Sequence, residues 1–311
     1  DLRMSRGLGD VYKRQIYLYV TEKRIAMNIL VLGGNGYLGS KIVKQLVLKN
    51  SNVFSTIREQ SDLSRLNDIK NNINFVNAKY HDIEKLLSDV RIDCIVNMVC
   101  NYGRHDNIDI IHSNLMFPLD VLELAVKHNV DRYITVDTAL PKYLNLYSFS
   151  KNSFSEYGEF YSEKYGIHFV DLKVQMYYGA DEPQDRFIPS TIRKMICGDV
   201  VNTTYGTQLR DIIAVEDVVN LIMRIIDGEL SGFNSINIGT GIAPSISELI
   251  DFIWEQTEKK SVVNKGAVPM RLNESDCIAD MGQVLEILNY KPVYWKDGIS
   301  KMIDKIRRDI R

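Results

Sequence analysis

Tyr147 and Lys151 stand four positions apart in Tyr147-Ser-Phe-Ser-Lys151, which puts a phenol and an ammonium on one face of a helix. An ammonium so placed favours the phenolate and lowers the tyrosine pKa. The phenol can then serve as general acid or base on a carbonyl or alcohol near neutral pH. Spacing alone is weak evidence, because Tyr19/Lys23 and Tyr37/Lys41 repeat it. Only Tyr147/Lys151 opens a helix that follows a fifth strand, beside the strand ends where open α/β sheets take ligands. Thr138, nine residues earlier at the end of that strand, carries a hydroxyl able to hydrogen-bond the same reacting oxygen.

A second constellation, Gly33-Gly34-Asn35-Gly36-Tyr37-Leu38-Gly39, follows an apolar run and opens a helical pattern. Its glycines permit positive φ and let backbone N–H groups approach a pyrophosphate at the helix start. Gly33, Gly36, Tyr37, Leu38 and Gly39 are therefore candidate dinucleotide contacts. The second strand ends Ser55-Thr56-Ile57-Arg58, without the acid that holds an NAD ribose about 20 residues beyond the glycines. Arg58 can instead take a 2′-phosphate through charge-assisted bonds, which favours NADP(H). Read as a solvated surface arginine, it leaves NAD(H) open. Asp82, with Ile83 beside it in the turn after the third strand, is placed to meet the adenine edge; a helix N-cap is the alternative for Asp82.

The elements that must carry these residues alternate. Strands are expected at Ile29–Leu32, Val53–Ile57, Asn74–Asn77, Cys94–Met98, Tyr133–Val136 and His168–Val174, with amphipathic stretches at Leu38–Leu48, His112–His128 and Phe149–Tyr165. That rhythm implies right-handed βαβ crossovers and a Rossmann-type, doubly wound parallel sheet in an α/β fold. Beyond about residue 175, prolines at 183, 189, 244, 269 and 292 punctuate shorter elements. The expected organisation is a dinucleotide-binding domain over residues 27–175 and a smaller, mainly substrate-binding region over 176–311. Residues 1–26 have no helical or strand period, and Met27 opens the first buried-strand pattern. We expect Met27 to be the natural start and the preceding segment to be non-native or disordered.

Composition narrows the function. Of the 311 residues, 45 % are hydrophobic and 25 % charged, enough for a sizeable core. With 38 basic against 40 acidic side chains, the formal charge of −2 argues against a general nucleic-acid binder. No apolar stretch approaches the roughly 20 residues that span a bilayer, so no membrane association is expected. Cys94, Cys100, Cys197 and Cys277 show no CxxC or metal spacing, and no metal site is expected. They read as free, mostly buried thiols of a cytoplasmic protein.

Taken together, these residues resemble the extended short-chain dehydrogenase/reductase family, the NAD-dependent epimerase/dehydratase group of nucleotide-sugar enzymes. Gly33, Gly36 and Gly39 match its glycine turn; Thr138, Tyr147 and Lys151 match its catalytic set; Asn114 matches a helix-bending asparagine. Tyr178-Gly179, Gly206 to Asp211, Val215 to Val218 and Asn237 to Gly241 look like its later landmarks. The resemblance implies that Lys151 also binds the nicotinamide ribose. It further implies that Arg210 and Arg271 pair with the diphosphate of a nucleotide sugar, and that Glu274 contacts its ribose. For each arginine, an ordinary salt bridge is the alternative. Homodimerisation through the helices His112–His128 and Phe149–Tyr165 is expected by the same analogy, with Tyr157, Tyr161 and Tyr165 on a face packed in the core or against a second subunit.

Departures from the family select the reaction. Its 4,6-dehydratases follow the catalytic threonine with Asp-Glu, whereas Thr138 is followed by Ala139-Leu140, which cannot exchange protons. Oxidoreduction at a sugar carbon remains. The strings Asn101 to Arg104, Asp137 to Lys142, Tyr147 to Phe154 and Gly266 to Glu274 resemble the CDP-abequose/CDP-paratose synthase branch. That resemblance implies NADPH-dependent reduction of the 4-keto group of CDP-4-dehydro-3,6-dideoxyglucose for surface polysaccharide. Val174-Gln175 departs from the usual Arg or His before the Tyr-Gly element. A 4-epimerase with tightly held NAD is the nearest alternative, and a non-catalytic dinucleotide sensor a remote one.

Overall fold

The computed structural model describes residues 26–102, 106–228, 230–270, 274–282 and 290–310. Nearly all of the expected extension 1–26 lies outside the described residues, as do Arg104 and Arg271.

Seven parallel strands make the central sheet: β1 (Asn28–Leu32), β2 (Asn52–Ile57), β3 (Ile73–Asn77), β4 (Cys94–Asn97), β5 (Arg132–Thr138), β6 (His168–Val174) and β10 (Phe233–Ile238). Their order is β3-β2-β1-β4-β5-β6-β10, with every pair parallel. Chain order reverses between β1 and β4, which opens a crevice at their carboxyl ends. The expected strands all form, shifted by at most two residues at their ends. The last strand comes from beyond residue 175, so part of the C-terminal half completes the dinucleotide sheet.

Because side chains alternate along a strand, β1 feeds two cores. Ile29 and Val31 pack with Ile42, Val43 and Leu46 of α1 (Tyr37–Leu48) and with Leu221, Ile222 and Ile225 of α7 (Val215–Asp227). Leu30 and Leu32 face the other way, onto Ile83 and Leu87 of α2 (Tyr80–Asp89) and Val121, Leu122 and Leu124 of α4 (Phe117–Lys127). Each such fully buried Leu or Ile is worth about 1.5–3 kcal/mol. A third core joins α6 (Phe187–Cys197), α8 (Ile246–Gln256) and α9 (Trp295–Ile310) through Ile192, Leu249, Ile250, Ile299 and Ile303. Two small parallel pairs, β7 (Met176–Tyr178) with β9 (Ile212–Ala214) and β8 (Val201–Thr203) with β11 (Val263–Lys265), belong to this half. Among the described residues no helix is long and apolar enough to cross a membrane.

The stretch expected as one helix over His112–His128 is more complicated. It begins earlier, as α3 (Asn107–Ile111), passes through a π-helical turn at His112–Met116 and continues as α4. Inside the turn the fully buried Asn114 side chain accepts from Asn101 N (2.8 Å) and donates to Asn101 O (2.9 Å). It exchanges hydrogen bonds with the loop after β4, and a helix distorted at a π turn is the observed form of the expected bend.

The helix that matters most for chemistry is α5 (Leu146–Tyr165). Asn145 and Ser148 cap its start reciprocally, Ser148 N–H to Asn145 Oδ1 at 2.8 Å and Asn145 N–H to Ser148 Oγ at 3.2 Å. Gly166, at φ +76°, ends it. The helix lies on an aromatic layer that crosses three strands: Tyr133 stacks on Phe169 at 5.4 Å and Phe169 on Phe233 at 6.1 Å, with Phe154 of α5 edge-on to the first two. At Gly158 an added Cβ would meet the Phe169 ring at 2.2 Å. An alanine there gains about 1 kcal/mol of helix propensity but overpacks a ring that cannot slide, at about 1–3 kcal/mol. Gly158→Ala should therefore lower the melting temperature by a few degrees; an unchanged or raised value would show that α5 is not seated on the ring.

Candidate active site

Tyr147 is the second residue of α5, so the capping interaction at Asn145 and Ser148 fixes the turn that presents it. One turn later Lys151 is almost fully buried and its Nζ donates to Val99 O at 3.3 Å. Thr138 ends β5, with its Oγ1 accepting from Leu140 N at 3.2 Å and its own N–H donating to Asp137 Oδ1 at 2.7 Å. The Tyr147 ring is half-buried, and its hydroxyl interacts with Thr138 and with the Cys100 thiol. The structure thus brings Thr138, Tyr147 and Lys151 to the carboxyl end of β4 and β5.

The electrostatics differ from the expectation that Lys151 lowers the Tyr147 pKa. Burial first, then the neighbouring Cys100, holds the phenol well above its ordinary value; the Thr138 contact only partly offsets them. Desolvation of the phenolate outweighs the ammonium, whose nearest described partner is the Val99 carbonyl. The phenol is therefore neutral at physiological pH and configured as a proton donor.

Three neighbours carry no signal in a single sequence. Cys100 is exposed beside the phenol, and Cys197 is exposed as well, whereas Cys94 and Cys277 are buried, so the expectation of mostly buried thiols holds for only two of the four. The Tyr102 ring lies 5.0 Å from that of Tyr147, and the Arg186 guanidinium sits over Tyr102 at 4.6 Å. Arg186 Nε pairs with the buried Glu182 at 3.1 Å. Only an i,i+4 Glu-Arg spacing hints at this wall beforehand.

The glycine turn has the geometry a dinucleotide needs. Gly33, at φ +72°, adopts the left-handed region, and its N–H donates to Thr56 Oγ1 at 3.1 Å. At Gly39 a Cβ would lie 2.4 Å from Gly33 O, so the helix can approach the turn only without one. Gly36 caps α1 with no side-chain bond and the first turn holds no acid. The first helical bond is Ser40 N–H to Gly36 O at 2.9 Å, which leaves the N–H groups of Tyr37, Leu38 and Gly39 for an external anion. These residues fit a pyrophosphate. Leu38 offers only its backbone, since its side chain is in the core. Tyr37 donates its hydroxyl to Asp181 Oδ1 (3.0 Å) and Lys41 Nζ binds Asp181 Oδ2 at 2.7 Å, so this second Tyr-Lys pair is tied to Asp181.

Arg58 is exposed at the end of β2 and makes no ion pair with a described residue. Asp82 is not an N-cap: it is the third residue of α2, whose cap position is Lys79, and it contacts His81 Nε2 at 3.1 Å. An acid in that first turn suits the helix dipole. Ile83 is fully buried among Leu30, Leu32 and Leu87, so its side chain is unavailable to a cofactor.

Arg210 and Glu274, expected on a diphosphate and a ribose, are paired with each other, and both are largely buried. Arg210 also donates to Leu209 O (2.8 Å) and Ser275 O (2.5 Å). The arrangement realises the salt-bridge alternative, but in the interior. The third expected contact, Arg271, lies outside the described residues.

Comparison with known proteins agrees with this geometry. The profile described as NAD dependent epimerase/dehydratase family matches residues 29–239. The chain is 26 % identical over 303 residues to the CDP-abequose synthase of Salmonella typhimurium, covering 89 % of this chain and 98 % of that one. The UDP-glucose 4-epimerase of Thermotoga maritima, solved with UDP-glucose, superposes with TM-score 0.79 at 22 % identity, over 92 % of this chain and 100 % of that one. The Thermus thermophilus UDP-glucose 4-epimerase complexed with NAD gives 0.75 at 18 % identity, over 90 % and 99 %. For these two structures the likeness is one of fold.

Burial pushes the Glu182 carboxyl up to about 7, against the pull of Arg186. Its folded pKa lies above the unfolded value, so between about pH 4.5 and 7 the folded chain holds the extra proton. The contribution of Glu182 to stability must therefore fall as pH rises through that window. Thermal melts should show Glu182→Gln gaining on the wild type from pH 5 to about 7 and keeping a constant offset above it. A difference that is flat or shrinks with pH would refute the assignment.

Proposed function

Because the chain belongs to the NAD dependent epimerase/dehydratase family, we propose that it reduces the 4-keto group of a nucleotide-linked deoxysugar. The substrate is CDP-4-dehydro-3,6-dideoxyglucose, the product CDP-abequose or CDP-paratose for surface polysaccharide, and the reductant NADPH. The observation that carries this reading is a neutral phenol beside Thr138, at the edge where Ala139 and Leu140 supply no acid or base. Reduction of a ketone needs one proton donor; dehydration needs further groups. Similarity to a CDP-abequose synthase over most of both chains supports the branch, and the exposed Arg58 in place of an acid supports NADPH.

When bound, reduced nicotinamide supplies the hydride. The residues of the chain do the rest. Gly33, Gly36 and the first turn of α1 hold the pyrophosphate, and Arg58 meets the 2′-phosphate. Lys151 orients the nicotinamide ribose. Thr138 hydrogen-bonds the carbonyl oxygen of the sugar, and Tyr147 gives that oxygen its proton as the alkoxide grows. Such preorganised donors lower the barrier by several kcal/mol.

The test is a panel of nucleotide 4-keto-sugars followed at 340 nm, with product identification by NMR. NADPH should be consumed stoichiometrically and faster than NADH. Tyr147→Phe should lose about 10²–10⁴-fold in kcat while binding NADPH nearly as well. Wild-type turnover in that variant would remove the phenol from the mechanism. The 4-epimerase reading predicts interconversion of sugars with no net change at 340 nm.

We further propose a homodimer through α5 and the helix that runs from α3 through the π turn into α4. Tyr157, Phe160 and Tyr165 on α5 and Ile108 on α3 are exposed, whereas Tyr161 of the same series is buried with its hydroxyl on Glu123. Several large apolar side chains exposed on one helix and its neighbour suit an interface. Light scattering should give twice the chain mass for the wild type and a monomer for Tyr157→Glu with Phe160→Glu; a monomeric wild type would exclude the interface.

A further inference from the structure

β6 sends Val170, Leu172 and Val174 into the core on one side of the sheet, which turns Phe169, Asp171 and Lys173 toward α5. Phe169 seats the helix at Gly158. Lys173 meets it nearer its start: Lys173 Nζ donates to Asn152 Oδ1 at 3.3 Å, and Asn152 Nδ2 donates to Ser148 O at 2.9 Å. The same ammonium faces two carboxylates, Asp137 Oδ2 at 3.5 Å from the residue opposite on β5 and Asp171 Oδ2 at 3.4 Å. These carboxylates are 1 % and 0 % exposed, whereas the lysine side chain keeps 30 %. Asp137 Oδ1 accepts from Thr138 N–H at 2.7 Å. Asp171 belongs to a polar row in register across four strands, Asn97–Thr135–Asp171–Ser235. In that row Asn97 Nδ2 donates to Thr135 Oγ1 (3.1 Å) and Ser235 Oγ to Asp171 Oδ2 (3.1 Å).

One side chain therefore reaches both halves of the catalytic edge. Through Asp137 it bears on the N–H of Thr138; through Asn152 it bears on the carbonyl of Ser148, the residue that caps α5 beside Tyr147. Apolar side chains of the same volume commonly hold a fold as well as a buried ion cluster does, so stability alone does not call for one here. What they cannot supply is direction: an ammonium with three donors fixes where each of its acceptors stands. Burial opposes the charge, yet Asp171 and then Asp137 hold the ammonium above its ordinary value, so it is charged at physiological pH.

We propose that Lys173 is a positioning residue of the catalytic set: it clamps the end of β5 to the first turns of α5 and so fixes where Thr138 stands relative to Tyr147. Its effect on turnover rests on the reading of Thr138 and Tyr147 given above; the clamp itself does not.

Two variants open the clamp at different points. Lys173→Met removes the ammonium. Asn152→Leu removes only the link to the helix, leaves Lys173 with both carboxylates, and serves even if the first variant folds poorly. Each should cut kcat about 10-fold or more with KM and NADPH affinity within about twofold, because the binding groups are untouched while those that meet in the transition state are displaced. Amide hydrogen exchange should quicken about 10-fold or more from Phe149 to Asn152 and stay as in the wild type beyond Gly158. A purely structural role would lower the melting temperature and leave kcat alone. The proposal is overturned if Asn152→Leu, or a folded Lys173→Met, keeps the wild-type kcat. It is equally overturned if kcat falls while exchange at the start of α5 stays as in the wild type. Quickened exchange in a protein that turns over no keto-sugar would instead defeat the proposed function and support the clamp.

Discussion

How closely α5 can lie on β5 and β6 governs everything at the catalytic edge. The helix carries both the phenol and the ammonium, whereas the sheet carries Thr138 and, through Val99 O, the partner of Lys151. A single residue without a side chain, Gly158 over the Phe169 ring, permits the approach. The ring has no freedom to yield, because Tyr133 and Phe233 stack on either side of it. Dense packing of this kind transmits position: a helix displaced at Gly158 moves Lys151, seven residues away, by a comparable amount. Proton transfer and hydrogen bonding tolerate little such displacement.

Along that face the chemistry changes in steps of two residues. Aromatic rings come first, then the Asn97–Thr135–Asp171–Ser235 row, then Asp137 with Lys173, and the next residue, Thr138, ends the strand beside the phenol. Parallel pairing keeps neighbouring strands in register, so each step forms a layer across the sheet rather than an isolated residue. The apolar layer anchors the helix; the ionic one makes the edge electrostatically deep. The same depth keeps Tyr147 neutral, since the cost of placing a phenolate there exceeds what one ammonium returns.

The sheet was legible in the sequence because buried parallel strands read as short apolar runs, and six of them alternate with helical periods. β10 was not, since Phe233 to Ile238 interleaves Asn and Ser with apolar residues at the sheet edge and follows a chain segment of looser rhythm. The Tyr147–Lys151 pair was legible because a fixed helical spacing links them, as was the glycine turn because its backbone demands constrain residue type. Cys100, Tyr102 and Arg186 were not, because a loop and two remote elements meet only once the chain has folded.

Two of the expected ligands meet each other in the folded chain. A guanidinium removed from water takes whatever acceptors the fold supplies, and Arg210 takes Glu274 and two carbonyls. Arg58 escaped that fate because β2 ends at the surface, where hydration removes any need for a partner. Exposure, rather than residue type, therefore separates Arg58, which stands in water, from Arg210, which already serves the fold. The same criterion explains why Asp82, on the first turn of a surface helix, tolerates a loose contact with His81, whereas Asp137 can exist as a carboxylate only while cations stand against it.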